Sequence, residues 1–520
     1  MSVNDIDGVL VIYTGGTVGS IRKDNKDPQS PLIPGKIEDI VKCLPNFDSR
    51  DSKININEKM IRIGAYSWKE PIDSSNISKE DWKEMCTVVR DNYDKYEGFV
   101  ILHGTDTMAY TASCLSFMLD NLNKPVVITG SQKPIGSTRS DAVQNIVTAI
   151  EIAAAKTLNQ TIVPEVCLLF QENLFRGCRI RKISASSFEG FDSPNYLHLG
   201  KCGEHIVIDK NIIREQTPNL KLSASDNLND DVVCIDIFPG MKPQVLEGIL
   251  KTPNLRGVVM KTFGTGNIPT KPEFLKVISD AVKERGILIV NVTQCLQGEV
   301  EQGLYDVSAG LLSCGVISGM DLTPEAALTK MFVVLGKIYN KGSDTDKEKD
   351  ETDEVKAEKR MQAADMMQLN LKGEQRQNVY NIHFEKKVIE DEKSTTLNQK
   401  YDMYQGQGNK RYSSKRLEKA FLRILGLHIP NATKGYIEIK VFIDKPDATM
   451  DTPTNIENFL GSVERKKYKK DEGPENIILP ITKQARTFID NIQDLTITIC
   501  SDSGDDLDYY DLHIALFTED

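Results

Sequence analysis

Apolar residues alternate between two rhythms over the first two thirds of the chain. Short unbroken apolar runs, VLVIY at 9–13, FVIL at 99–102, VVIT at 126–129 and VCLLF at 166–170, predict strands. A strand that is apolar without alternation is covered on both faces, as in a parallel sheet. Between the runs lie stretches with helical spacing. Trp82, Met85, Cys86, Val89, Tyr93 and Tyr96 fall on one helical stripe, and Ser78 with Asp81 supplies a capping box ahead of them. The alternation predicts a doubly wound α/β domain with a parallel sheet over residues 1–210. A polar stretch at 211–231 interrupts it as a linker. The pattern restarts with VVCIDI at 232–237, GVVMKT at 257–262 and ILIVNV at 287–292, a smaller α/β domain over 232–375.

A charged run at 341–360 has no apolar pattern in its first half and reads as a solvated insertion. Beyond about residue 376 the period changes to two. Ile437, Ile439, Val441 and Ile443 alternate with other positions, as do Leu495, Ile497 and Ile499, and Leu512, Ile514 and Leu516. This predicts an all-β, sandwich-like module over 376–520.

Composition narrows the function classes. The 520 residues are 40% hydrophobic and 27% charged, which excludes disorder throughout. Lys and Arg number 64 against 75 Asp and Glu, a net charge of −11 that disfavours nucleic acid as a partner. No window approaches the ~18 apolar residues of a spanning helix. Asp5 and Asp7 stand where a signal peptide would be basic and then apolar. Ten cysteines without a Cys-x-x-Cys pair fit a reducing, cytoplasmic setting, most of them serving as small core residues.

Ligands of open α/β sheets bind beyond the carboxyl ends of the strands. Three predicted strand ends carry small and hydroxyl residues: Thr14-Gly15-Gly16-Thr17, His103-Gly104-Thr105-Asp106-Thr107 and Thr129-Gly130-Ser131-Gln132. Glycines let a backbone approach a ligand closely, hydroxyls attack or bind a carbonyl, and the amides of such turns hold an oxyanion. A threonine nucleophile needs a base, and a lysine with a lowered pKa serves better than a carboxylate. The stretch Arg176-Gly177-Cys178-Arg179-Ile180-Arg181-Lys182 offers candidates. His103, alone at a strand end, reads as structural.

TGGTVG at 14–19, ILHGTDTMAYTAS at 101–113 and ITGSQ at 128–132 resemble the bacterial-type L-asparaginases, closest to the cytosolic type I enzymes. The likeness runs from about residue 8 to 375, with MMQLNLKGE at 366–374 similar to the family's last helix and 341–360 an insertion before it. The resemblance implies hydrolysis of L-asparagine to L-aspartate and ammonia, without metal or organic cofactor. It implies a homodimer that completes each site, dimers often pairing into homotetramers.

Thr17 would be the nucleophile forming a β-aspartyl ester. Thr105, Asp106 and Lys182 would form the second catalytic group, relaying protons as His does in a serine hydrolase. Asp73, Ser74 and Ser75 match the substrate loop that recognises the α-carboxylate and α-amine, and Asp106 doubles as an ammonium partner. Asn267, in FGTGN, matches a residue reaching the neighbouring subunit's site. Many relatives carry a Tyr on the loop after the first motif. Residues 20–34 contain none, and Tyr305 lies where animal-type enzymes offer a replacement. The family's regulatory asparagine pocket uses a Thr, an Arg and a Cys. The corresponding positions are Arg181, Lys261 and Cys295, so only the cysteine matches.

Other readings share these features. A glutaminase is one, and a tRNA-dependent amidotransferase subunit, which carries an extra N-terminal domain, is another. A lysophospholipase, or an asparaginase-fold protein whose β module binds membranes or proteins, is a third. In that module, Asp444, Asp447 and Asp451 in one loop and Asp502, Asp505, Asp506 and Asp508 in another are either Ca²⁺ ligands or exposed turn carboxylates.

Overall fold

The computed structural model describes residues 8–24, 27, 29–157, 160–302, 306–339, 352–387, 394–401, 417–427, 436–466, 475–489, 495–501 and 511–519. They form two compact units. The first gathers the chain up to Asp230 with the later segment around helix Pro324–Tyr339 and with Leu371–Glu374. The second holds Asp231–Asp321, helix Asp353–Gln368 and the chain from Gln375 onward.

At the centre of the first unit lie β1 (Val9–Gly15), β2 (Lys59–Ile72), β3 (Gly98–Leu102), β4 (Val126–Thr129) and β5 (Val166–Phe170). They run parallel in the order β5-β4-β3-β1-β2. β6 (Asn173–Arg176) returns antiparallel beside β5, and short edge strands bring the sheet to ten. Every residue of β1, β3, β4 and β5 is buried, as their unbroken apolarity demands. Helices α1 (Lys79–Asp91), α2 (Met108–Met118) and α3 (Ala142–Ala153) cover the sheet. The capping box at Ser78 and Asp81 starts α1, but the helix ends at Asp91. Tyr93 and Tyr96 therefore lie beyond it, and the Tyr93 ring stacks on Phe99 with centroids 6.2 Å apart. The stretch at 211–230 belongs to this unit, where Ser223–Ala224 pairs with Leu119–Asp120.

Burial of charge locks the late segments into the first unit. Lys330, on α4 (Pro324–Tyr339), donates to Glu374 at 2.7 Å, and both side chains are 0% exposed. Glu374 also accepts the amide hydrogens of Leu371 and Lys372 at 2.9 and 2.6 Å. Burial pushes this carboxyl up, but Lys330 and the two amides outweigh it and hold it below its ordinary range.

In the second unit β7 (Val232–Asp236), β8 (Gly257–Thr262), β9 (Leu288–Thr293) and β10 (Ile317–Ser318) form a parallel sheet in chain order. Within the charged run, α5 (Asp353–Gln368) begins behind Thr352, whose side chain accepts the Val355 amide hydrogen. The chain that follows is all β: β11 (Gln377–Lys387), β12 (Ser394–Tyr401), β13 (Leu417–Leu427), β14 (Tyr436–Ile443), β15 (Phe459–Lys466), β16 (Glu475–Pro480), β17 (Thr496–Ser501) and β18 (Asp511–Glu519). These strands make one antiparallel sheet in the order β15-β14-β17-β12-β11-β18-β13-β16. It does not stand apart from the α/β part of its unit. Met320, just beyond β10, is buried in one cluster with Val379 and Ala515 of the antiparallel sheet, and Phe517 packs against them. Seven of the ten cysteines are buried, as small core residues should be.

The Lys330–Glu374 pair yields a stability test. Lys330→Met leaves a buried carboxylate without its cation and should cost about 3–5 kcal/mol of unfolding free energy in urea. Adding Glu374→Gln, which keeps an acceptor for the two amides, should restore most of that loss. A double variant as unstable as the single one would contradict the pairing.

Candidate active site

Parallel neighbours end together, so the turns after β2, β1 and β3 lie side by side. Tyr13 pairs with Leu102 in register, and Gly15 with Ile72. β1 then leaves the sheet through Gly15 at φ 127° and Gly16 at φ 81°, values that glycine adopts readily. The Gly16 amide donates to the Ile72 carbonyl at 3.0 Å. A Cβ on Gly16 would sit 2.4 Å from the backbone N and Cα of Gly104, and one on Gly104 would sit 2.5 Å from Ser74 Oγ. The three turns touch with no room for another carbon. Thr17, Ser74 and Thr105 each belong to, or directly follow, a residue in these contacts.

Thr17 opens a short 3₁₀ turn, Thr17–Gly19, and is half-buried. Thr14 is committed elsewhere, its hydroxyl donating to the Leu102 carbonyl at 3.0 Å. On the neighbouring turn Asp73 Oδ1 accepts the Ser75 amide and hydroxyl hydrogens, each at 2.9 Å, and these bonds lower its pKa below the ordinary carboxyl value. Ser74 is buried, and its carbonyl accepts the Thr107 hydroxyl at 2.7 Å, tying this turn to the one after β3.

Lys182 arrives from a two-residue hairpin, Arg181–Lys182 against Phe191–Asp192. Its Nζ donates to Thr105 Oγ1 at 3.0 Å and to Asp106 Oδ1 at 2.5 Å. Thr105 is buried, while the Asp106 side chain is 65% exposed. The structure thus brings together three residues 76 and 77 positions apart in sequence. Sequence reading missed what anchors this approach. Arg179, 2% exposed, donates through Nε to the Gly373 carbonyl at 2.6 Å and lies over the Tyr196 ring at 4.8 Å. The signal was a cation set between Cys178 and Ile180, both wholly buried.

His103 is wholly buried. Its Nδ1 lies 2.7 Å from the Gly104 carbonyl, which can only accept, so Nδ1 carries the proton. Nε2 then accepts the Thr111 hydroxyl at 2.9 Å, and Thr111 accepts from the Trp82 indole at 2.9 Å. Burial holds its pKa at about 4, so the ring is neutral and structural. At the third turn, the Gln132 and Lys133 amides donate to the Asp141 carboxylate.

The remaining candidates lie elsewhere. Asn267 belongs to the second unit, where its Oδ1 is buried without a hydrogen-bond partner. Tyr305 and the acidic positions Asp502, Asp505, Asp506 and Asp508 lie outside the described residues. Asp444 accepts the Thr496 amide hydrogen at 2.9 Å, and Asp447 pairs with Lys445 at 2.7 Å. Among the described residues no group of three or more His, Cys, Asp or Glu could hold a metal ion. Arg181 pairs with Glu325 at 3.5 Å, Lys261 with Asp236 on the adjacent strand at 2.6 Å, and Cys295 is exposed. Among the described residues no helix is long and apolar enough to cross a membrane.

Residues 8–214 match the family model described as Asparaginase, N-terminal, and residues 231–345 match the Glutaminase/Asparaginase C-terminal domain. L-asparaginase 1 of Escherichia coli (strain K12) is 36% identical over 336 residues, covering 63% of this chain and 92% of that one. The 60 kDa lysophospholipase of Homo sapiens is 38% identical over 343 residues, covering 63% of this chain. That match spans only 58% of the human relative's length. The crystal structure of L-asparaginase I from Vibrio cholerae O1 biovar eltor str. N16961 superposes with a TM-score of 0.58 at 36% identity, over 71% of this chain and 99% of that chain.

The close glycine contacts predict a sharp difference between two substitutions. Gly16→Ala adds a Cβ where φ is 81° and backbone lies 2.4 Å away, and should cost about 1–3 kcal/mol of stability. Gly136→Ala, with nothing within 4 Å, should leave the unfolding midpoint within experimental error. Equal midpoints for the two variants would contradict the packing of these turns.

Proposed function

Because the chain belongs to the asparaginase family, we propose that it hydrolyses L-asparagine to L-aspartate and ammonia by two acyl transfers at the carboxyl edge of the first sheet. The observation that carries this reading is the Lys182–Thr105–Asp106 hydrogen-bonded group beside the touching turns of Gly16 and Gly104. In the first step Thr17 Oγ1 attacks the side-chain amide carbon. The C–N bond breaks, ammonia leaves with the proton that the hydroxyl gave up, and a β-aspartyl ester remains. In the second step water attacks the ester carbon, the C–O bond breaks, and the proton returns to Thr17.

Thr105 stands in the proton path. Its hydroxyl meets Lys182 Nζ on one side and passes protons between that amine and the attacking group. Asp106 orients Lys182 Nζ through its hydrogen bond. The strength of the arrangement is positional, since pre-set groups save the entropy of gathering them. Asp73, Ser74 and Ser75 hold the substrate's α-ammonium and α-carboxylate, and Asp106 faces the same ammonium. Asn267 completes a neighbouring subunit's site within a homodimer or homotetramer, and Tyr305 supplies the hydroxyl that other relatives place on the first loop. No metal or organic cofactor enters these steps. We place the activity in the cytoplasm.

The test is ammonia release with L-asparagine and L-glutamine, run beside fatty-acid release from a lysophospholipid. L-asparagine should be the preferred substrate. Thr17→Val and Thr105→Val, both near-isosteric, should each lower kcat about 10³-fold or more, and the double variant should be little worse than either single one. Turnover by Thr17→Val near that of the parent chain would reject the nucleophile. Release of fatty acid without ammonia would reject the amidase reading. Saturation with asparagine should be hyperbolic or only weakly sigmoid, because Arg181 and Lys261 are held by Glu325 and Asp236.

A further inference from the structure

His103 has no part in the chemistry above, yet it is a wholly buried polar ring placed next to Gly104 in the chain. Its backbone is fixed on both sides. The His103 amide donates to the Thr129 carbonyl at 2.9 Å, just past the paired ends of β3 and β4. A Cβ on Gly130 would sit 2.3 Å from the His103 carbonyl oxygen, so the neighbouring turn closes over it.

The ring is held at both nitrogens. The indole of Trp82, on α1, donates to Thr111 Oγ1, on α2, at 2.9 Å, and that hydroxyl donates in turn to His103 Nε2 at 2.9 Å. All three side chains are buried. With Nε2 accepting, the proton sits on Nδ1 and meets the Gly104 carbonyl at 2.7 Å. A hydroxyl has one hydrogen to give, so the chain runs one way: indole to hydroxyl, hydroxyl to ring, ring to carbonyl.

The last link acts on a residue with unusual freedom. Glycine lets the peptide that follows it rotate in ways other residues resist. The close approach of Gly16 and Ser74 confines the Gly104 Cα, but it does not decide which way the Gly104–Thr105 peptide faces. The bond from Nδ1 does. In a trans peptide the C=O and the N–H point in opposite directions, and the chain has no cis peptide among its described residues. Drawing the Gly104 oxygen toward the buried ring therefore turns the Thr105 N–H away from it. Among the described residues that amide has no hydrogen-bond partner, although Thr105 is buried. A buried donor without an acceptor is costly, and beside a nucleophile it is what a developing oxyanion needs.

We infer that His103 is a positioning residue, backed by Thr111 and Trp82, which turns the Thr105 amide toward the oxygen of the scissile carbonyl. The inference rests on the acyl-transfer reading above. When Thr17 Oγ1 bonds to the amide carbon, the carbonyl π pair moves onto oxygen and the Thr105 N–H donates to it. The pair returns as the C–N bond breaks and ammonia leaves with the hydroxyl's proton. His103 neither takes nor gives a proton.

Three substitutions of His103 in the full chain test this with L-asparagine. Asn carries its amide nitrogen where Nδ1 lies and keeps a donor for Gly104. Gln carries its amide where Nε2 lies and keeps a partner for Thr111 alone, and Leu keeps neither. His103→Gln and His103→Leu should each lower kcat about 10²-fold with KM within about threefold of the parent, the signature of a lost oxyanion donor. His103→Asn should recover about tenfold or more of that loss. Urea midpoints measured alongside separate this from packing, since a merely structural role would make kcat follow stability and not donor position. If His103→Leu fails to fold, the comparison of His103→Asn with His103→Gln carries the test. Equal kcat in those two variants, or parental kcat in a folded His103→Leu, would overturn the inference and leave the nucleophile, which Thr17→Val tests, standing. A parent chain that releases no ammonia from L-asparagine would reject the acyl-transfer reading and this inference with it.

Discussion

The candidate site depends on a contact that leaves no room for a side chain. Gly16 lies against Gly104, and Gly104 against Ser74, at separations that any Cβ would violate. This closeness follows from topology. β2, β1 and β3 are adjacent and parallel, so their carboxyl ends open on one edge and their turns share one space. Each turn then projects a hydroxyl or carboxylate residue from nearly the same place. Substitutions in the sheet core would act on the site indirectly, by shifting a turn that has nowhere else to go.

Lys182 reaches this edge by another route, and charge burial secures it. Its hairpin follows Arg179, whose buried guanidinium is received by the Gly373 carbonyl and the Tyr196 ring. Gly373 in turn sits beside Glu374, whose carboxylate is neutralised by Lys330. A segment almost two hundred residues downstream therefore fixes the approach of the amine to Thr105. The positioning is structural support for the proposed proton path, and it ties Leu371–Glu374, though not the helix before it, to the first unit.

Much of the α/β framework was legible because burial on both faces forces unbroken apolar strands, and the runs at 9–13, 99–102, 126–129 and 166–170 are such strands. The capping box of α1 was equally plain, but its end was not. Tyr93 keeps helical spacing while serving as a stacking partner for Phe99 beyond the helix. β2 escaped because its fourteen residues mix buried Ile61 and Ile63 with exposed Met60 and Arg62, a pattern of a half-covered strand. The start of α5 hid in a charged run, where one face meets solvent and sequence alone does not say what meets the other. The site itself was legible as turns and motifs. The meeting of Lys182 with Thr105 and Asp106, the buried anchor at Arg179 and the order of the eight C-terminal strands are long-range facts, set by packing rather than by local pattern.

The most direct test of the proposed chemistry is to trap the acyl intermediate. The full chain would be mixed with L-asparagine, acid-quenched within one turnover, digested and examined by mass spectrometry. An aspartyl ester on the peptide that carries Thr17, absent from Thr17→Val and accumulating in Thr105→Val, is the expected result. An ester on Thr105, or ammonia release in the parent chain with Thr17 unmodified at every quench time, would contradict it.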